Sequence, residues 1–236
     1  MATKYKGHVI IGVTKTVAVS AFGMTPYAYE IIGIRQNPSF VPETPRPTAN
    51  IVRYIGGLAV HPPKPLGKSL DAVLDERSTN VLLSFGTISR AKDMPLWLKK
   101  DIVQAFSAFP NTTFIWKYED ENDSHLFKDH PNIHTMKWVP QSDLLGDKRL
   151  SAFITHAGMN SILEATFFGK PLVVVPLFGD QYLNAKNVER RGMAVMIGKN
   201  ELNKDTLTAA IREVLSTNSH SDFEYRFANQ EMSYAL

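Results

Sequence analysis

Four short segments concentrate side chains suited to holding a charged, hydroxylated ligand. They are Ser84-Phe-Gly86-Thr87, Trp138-Val139-Pro-Gln141, His156-Ala-Gly158-Met-Asn160-Ser161 and Phe178-Gly-Asp180-Gln181. The third is the most informative. Gly158 lets the backbone approach a ligand closely, and the free N–H groups of a helix starting there, aided by its dipole, favour an anion such as phosphate. His156 at the same mouth can add a hydrogen bond or a positive charge. Glu164 follows Asn160 by four residues on the same helical face, and a carboxylate so placed can accept both hydroxyls of a ribose. Together these features point to a nucleotide diphosphate. Asp180 and Gln181 offer acceptors and donors for adjacent sugar hydroxyls. Trp138 offers a flat platform for a base, while Ser84, Gly86 and Thr87 can give backbone and hydroxyl donors to a phosphate.

Each element also has a plainer reading. Gly at a helix start is commonly a turn, a lone His commonly caps or packs, and Glu164 can cap or be solvated. Asp180 can cap the helix that follows it. Trp138 can be a core aromatic at a strand end.

Elements that would bring the four segments together are legible from Asn80 onward, where strands and helices alternate as in βαβ units around a parallel sheet. Strands are predicted at Asn80 to Phe85, Thr112 to Tyr118, Ile133 to Lys137, Ser151 to Thr155, Leu172 to Pro176 and Ala194 to Gly198. Helices are predicted at Pro95 to Phe109, Ser142 to Leu145, Asn160 to Phe168 closed by Gly169, Tyr182 to Arg191 stopping at Gly192, and from an Asn203 cap through Leu215. The unbroken apolar run of the fifth strand implies burial on both faces. In an open α/β sheet ligands sit beyond the carboxyl ends of the strands, and all four segments follow a strand. The sequence therefore predicts an α/β, doubly wound parallel sheet.

Composition removes other classes. The 236 residues are 44% apolar and 21% charged, ordinary globular proportions. Twenty-six basic against twenty-three acidic residues are scattered without a Lys/Arg block, which argues against a nucleic-acid partner. Without cysteine there is no disulfide framework or thiolate site. No apolar run approaches the ~18 residues of a membrane span. Val9 to Met24 faintly resembles a secretory signal, but Lys15 and two threonines interrupt it and strand is preferred. Neither G-x-x-x-x-G-K-[S/T] nor G-x-G-x-x-G after a strand is present, nor H-E-x-x-H. Glu119 to Asp123 lacks the Gly and terminal Glu of a calcium loop and reads as a solvated turn.

Eight of fourteen prolines lie in the first 65 residues, six of them between Pro42 and Pro65. That stretch reads as an extended linker. Upstream, Ile10 to Phe22 reads as strand and turn and Pro26 to Ile32 as a short helix; Ile51 to Ile55 reads as a short strand within the linker.

Taken in order, the segments resemble the donor-binding half of the UDP-glycosyltransferases, the membrane-anchored animal enzymes called UDP-glucuronosyltransferases. The resemblance is carried by Trp138-Val-Pro-Gln141, Phe153-Ile-Thr-His-Ala-Gly-Met-Asn-Ser161, Glu164-Ala165, Gly169-Lys-Pro171, Pro176-Leu-Phe-Gly-Asp-Gln181 and Asn184. It extends more weakly to Ser20-Ala-Phe-Gly-Met24, Asn37-Pro-Ser-Phe-Val-Pro42, Pro45-Arg-Pro47 and Ile55-Gly-Gly57, whose wording is similar to nematode members. The resemblance implies the Rossmann-like carboxyl-terminal half of a GT-B fold with a remnant of the amino-terminal half. By position it divides the chain into a remnant over 1–42, a Pro-rich linker over 43–77, a UDP-sugar domain over 78–217 and a truncated segment over 218–236.

It also implies roles. Trp138 and Gln141 would hold the uracil; His156, Ser84, Thr87 and the amides of Asn160 and Ser161 the diphosphate; Glu164 the ribose; Asp180 and Gln181 the sugar. The implied reaction is inverting transfer from UDP-glucose or UDP-glucuronate to a hydroxyl of a small lipophilic acceptor. It needs no metal or separate cofactor, in an endoplasmic reticulum membrane setting on the lumenal side. The family's catalytic His, with its supporting Asp, follows the first strand of the amino-terminal domain, and no matching segment occurs here; His8 precedes a strand. A second reading follows, a catalytically silent UDP-sugar-binding module paired with itself or with related glycosyltransferases.

Overall fold

The computed structural model describes residues 3–5, 8–11, 17–20, 61–120 and 122–216. They fall into two units, divided between Ala59 and Val60. In the first, β1 (Thr3–Tyr5), β2 (His8–Ile11) and β3 (Val17–Ser20) form an antiparallel sheet in that order. The strand and turn expected over Ile10 to Phe22 are instead parts of two strands: Ile10 and Ile11 end β2 and pair with Ala18 and Val17 of β3. Apolar runs lie on either side of Thr14-Lys15-Thr16, and each finds its backbone partners in the other. The expected helix at Pro26 to Ile32, the strand at Ile51 to Ile55 and the segment 218–236 lie outside the described residues.

The second unit is built on six parallel strands: β4 (Thr79–Ser84), β5 (Thr112–Lys117), β6 (Ile133–Met136), β7 (Leu150–Thr155), β8 (Leu172–Val174) and β9 (Ala194–Met196). Their order across the sheet is β6-β5-β4-β7-β8-β9. The predicted doubly wound sheet is therefore present, with all six strands where the sequence places them. Successive side chains on a strand point to opposite faces, and the buried runs divide accordingly. Val81, Leu83, Phe114, Trp116, Ile154 and Val173 belong to one core, and Leu82, Ile115, Phe153, Leu172 and Val174 to the other.

Helices α2 (Leu96–Ser107) and α6 (Lys204–Ser216) cover the first face through Ile102, Phe106, Leu207 and Ile211. There Phe106 stacks on Phe114 with centroids 3.8 Å apart. The other face is covered by α1 (Lys68–Asp75), α3 (Gln141–Gly146), α4 (Met159–Phe167) and α5 (Gln181–Arg190). The ends match their signals. Gly169 and Gly192 close α4 and α5 in the left-handed region, at φ 63° and 67°. Asn203 Oδ1 accepts from the Asp205 and Thr206 amides and caps α6.

Two expectations need correction. The stretch read as linker to residue 77 contains α1, because Leu70 and Leu74 recur at i, i+4 and bury on the sheet. Of the described residues before α1, 61–67 form neither helix nor strand, with the Lys64 amide donating to Asp143. The acidic turn is not simply solvated either. Asp123 pairs with Lys99 and accepts from the Tyr118 hydroxyl, and Glu119 pairs with Lys117. Among the described residues no helix is long and apolar enough to cross a membrane.

Candidate functional site

The strand order reverses its direction between β4 and β7, which lie side by side with Ser84 opposite Thr155. Loops leaving those two ends must diverge, one towards each face, and the crevice between them is where such sheets take ligands. His156 stands in it. Its half-buried ring lies against both flanking glycines: a Cβ on Gly86 would fall 2.8 Å from Cε1, and one on Gly158 would fall 2.6 Å from Nε2. Close approach at Gly158, expected for a ligand, is thus made by the imidazole itself. Gly86 is needed twice over, since its φ is 81°.

Burial holds the His156 imidazole below its ordinary pKa, and the opposing charge of Asp180 offsets this in part. The free site therefore carries a neutral ring at neutral pH, a hydrogen-bonding group rather than a fixed cation. Its neighbour Ala157 is fully buried with φ 62°, a conformation that costs an L-residue ~1–2 kcal/mol. Gly158 then caps the start of α4 without a side-chain bond, and the first-turn amides, including those of Asn160 and Ser161, have no acceptor within the helix.

A second cluster joins the starts of α3 and α4. Gln141 Nε2 donates to Glu164 at 2.6 Å and to Ser161 Oγ at 3.1 Å, and the Ser142 hydroxyl donates to the other Glu164 oxygen. The structure thus joins Glu164, Gln141 and Ser161 in one hydrogen-bonded cluster and ties the Gln141 amide, expected at the uracil, to the carboxylate. Ser142 was not anticipated; its position next to Gln141 on the same short helix was the available signal. Each Glu164 oxygen retains a lone pair, so the carboxylate can still accept two vicinal hydroxyls.

Trp138 is 70% exposed on the loop into α3, which removes the core-aromatic reading, while Val139 turns its side chain into the core. Thr87 and Asn160 are exposed. Ser84 is buried, and its hydroxyl accepts from the Gly86 amide at 3.3 Å, shaping its own turn.

Asp180 occupies the N-cap position of α5 yet makes no capping bond; its Oδ2 accepts from Asn184 instead. Gln181 departs from expectation. Rather than being exposed, it is 4% accessible, and its Oε1 accepts from the amides of Leu177 and Phe178 at 2.8 and 3.0 Å. That bond pair folds the loop after β8, leaving only the Gln181 amide nitrogen to offer.

Sequence reasoning also missed Lys117. This buried lysine ends β5 and donates to the Gly86 carbonyl at 2.8 Å and to Glu119 at 2.9 Å, so it fixes the turn after β4 from the neighbouring strand. A lysine closing the apolar run Thr112-Thr-Phe-Ile-Trp-Lys117 was its signal. Among the described residues no group of His, Asp and Glu is arranged to hold a metal ion.

A six-stranded parallel sheet wound in both directions from the β4–β7 pair, with helices on both faces, defines a Rossmann-like domain. Residues 28–227 match the family described as UDP-glucoronosyl and UDP-glucosyl transferase, and the chain belongs to it. It is 37% identical over 183 residues to mouse UDP-glucuronosyltransferase 1A7, covering 78% of this chain and 34% of that one. It is 34% identical over 188 residues to UDP-glucosyltransferase 2 of Dactylopius coccus, covering 79% and 35%. The chain thus spans about a third of the length of these curated relatives. Among solved structures, the glycotransferase of kitacinnamycin superposes with a TM-score of 0.56 at 28% identity, covering 66% of this chain and 40% of that one. Os79 from O. sativa, solved in complex with UDP, gives 0.56 at 26% identity, covering 71% and 38%. The fold is that of one Rossmann-like half of a GT-B glycosyltransferase.

Proposed function

We propose that this chain is the UDP-sugar-binding half of a glycosyltransferase that passes a hexosyl or glucuronosyl group, with inversion, to a hydroxyl of a small lipophilic acceptor. The observation that carries this reading is the Glu164 carboxylate, braced by Gln141 and Ser142, in the same helix whose first turn adjoins His156 at the switch point. One carboxylate for a ribose and one helix start for a diphosphate are the minimum that a nucleoside diphosphate requires. That the similar Os79 was solved with UDP supports it.

In this reading Trp138 stacks on the uracil, and the Val139 backbone runs beside it. Glu164 takes the ribose hydroxyls with Gln141 holding it in place. Thr87, His156 and the amides of Asn160 and Ser161 face the diphosphate. Asp180 and the amide nitrogen of Gln181 face the sugar. UDP-glucose and UDP-glucuronate both fit that set. In the transfer step a base removes the acceptor's proton, the freed oxygen attacks the anomeric carbon from the far side, and the bond to the β-phosphate oxygen breaks. Negative charge grows on the departing UDP, where the α4 amides and the His156 N–H meet it. A base is assigned to none of these residues. The endoplasmic reticulum setting of the resemblance belongs to the same proposal.

Thermal unfolding with and without UDP, UDP-glucose and UDP-glucuronate tests the reading. Each should raise Tm in a saturable manner; a folded sample whose Tm responds to none of them overturns it. Release of UDP that depends on an added phenol would place a base within this chain, whereas donor binding without release assigns the base elsewhere and favours the binding-module reading.

A further inference from the structure

Asn184, one turn into α5, is 2% exposed, and its two amide hydrogens go to two different parts of the site. One reaches the Ala157 carbonyl at 3.0 Å and the other Asp180 Oδ2 at 2.9 Å. Ala157 is the left-handed residue between His156 and Gly158, so its carbonyl orientation sets the turn that presents the imidazole and starts α4. Asp180 sits where a carboxylate ordinarily folds back to cap its own helix, and it makes no such bond. The planar amide of Asn184 holds both acceptors at a fixed angle. It accounts for the uncapped carboxylate and gives the left-handed turn a partner on a different helix.

We propose that Asn184 is the positioning residue that couples the diphosphate end of the donor site to its sugar end. It holds Ala157 so that the His156 turn stays formed and holds Asp180 turned out of its cap towards the sugar. The inference rests on the donor-site reading above. Its geometric half, however, is a property of the ligand-free protein. Asn184→Asp keeps the shape, removes both donors and sets a charge against Asp180; Asn184→Ala removes the amide without adding charge.

The test has two arms, run on variants shown to be folded by circular dichroism. In ligand-free protein, the three-bond HN–Hα coupling of Ala157 reports its φ, and both Asn184 variants should shift it away from the wild-type value. By calorimetry, Asn184→Ala should weaken UDP about tenfold and also reduce the ratio of UDP-glucose to UDP affinity. In an Asp180→Ala background the same change should still weaken UDP but leave that ratio unaltered. A lowered Tm with wild-type affinities in the folded protein, or a ratio that falls equally with and without Asp180, overturns the coupling. Should wild-type protein not bind UDP, the donor-site reading fails by itself, and the Ala157 coupling still decides whether Asn184 holds the turn.

Discussion

Asn132 and Asn160 lie at opposite rims of the same sheet. Asn132, at the amino-terminal rim before β6, is buried and points its amide at the carbonyls of Phe106, Phe109 and Thr112. Its neighbours along that rim behave alike. Asn80 donates to the carbonyls of Leu74, Arg77 and Arg149, and Arg149 pairs with Asp71, Asp75 and Asp147. Asn160, at the carboxyl-terminal rim, is exposed on the first turn of α4. Around it Thr87 and Trp138 are exposed as well, and Asp180 is turned out of its cap. The first rim directs these polar groups inward to lock chain ends; at the second, Lys117, Gln181 and Asn184 bond inward and shape the loops, while Thr87, Trp138 and Asn160 stay exposed. Residue type does not distinguish lock from site; what distinguishes them is whether the donors already have acceptors.

That contrast is broken or sharpened by substitutions on each side. The largest effect is expected at the locked rim, where Asn132→Ala removes three hydrogen bonds from a buried amide and should cost about 2–3 kcal/mol of stability in urea unfolding. UDP affinity should be unchanged. On the open rim His156→Ala should weaken UDP by ~2 kcal/mol in calorimetry, with a smaller change in unfolding midpoint than Asn132→Ala. Arg149→Ala removes three ion pairs at a partly exposed side chain, and screening limits the loss to about 1 kcal/mol of stability.

The smallest effect concerns pH. His156 is held below its ordinary value of 6.5 when the site is empty, and a bound diphosphate favours the protonated ring. UDP binding should therefore tighten as pH falls from about 7.5 to 5.5, by less than ~1 kcal/mol relative to His156→Gln. The same depressed pKa acts on folding with the opposite sense. The unfolded chain binds the proton more readily, so this contribution to stability is full above 6.5 and declines as pH falls below it. An affinity difference between wild type and His156→Gln that does not change with pH would mean that His156 does not meet the anion.

The parallel sheet was legible because its signals are local: apolar runs, left-handed glycines after helices and an Asn cap. Loops that follow strands could be read for the same reason, and Gly158 lies against the His156 ring at the start of the helix that carries Glu164. Contacts across elements left no such trace. Nothing near Gly86 in sequence shows that Lys117 of β5 holds its carbonyl, and nothing near Asn184 shows that its amide reaches the Ala157 carbonyl. Helix α1 was hidden by the prolines before it, although Leu70 and Leu74 were correctly spaced. Side-chain hydrogen bonds between distant segments depend on the folded arrangement, so a linear reading names the residues but not which of their atoms remain open.

The central claim is that the open rim is a UDP site with Glu164 on the ribose. Calorimetric titration of UDP into wild-type protein and Glu164→Ala tests it most directly. Saturable binding at one site, weakened by about 1–3 kcal/mol in the variant, is the predicted result. Folded wild-type protein that gives no binding heat, or a variant with wild-type affinity, would contradict the account.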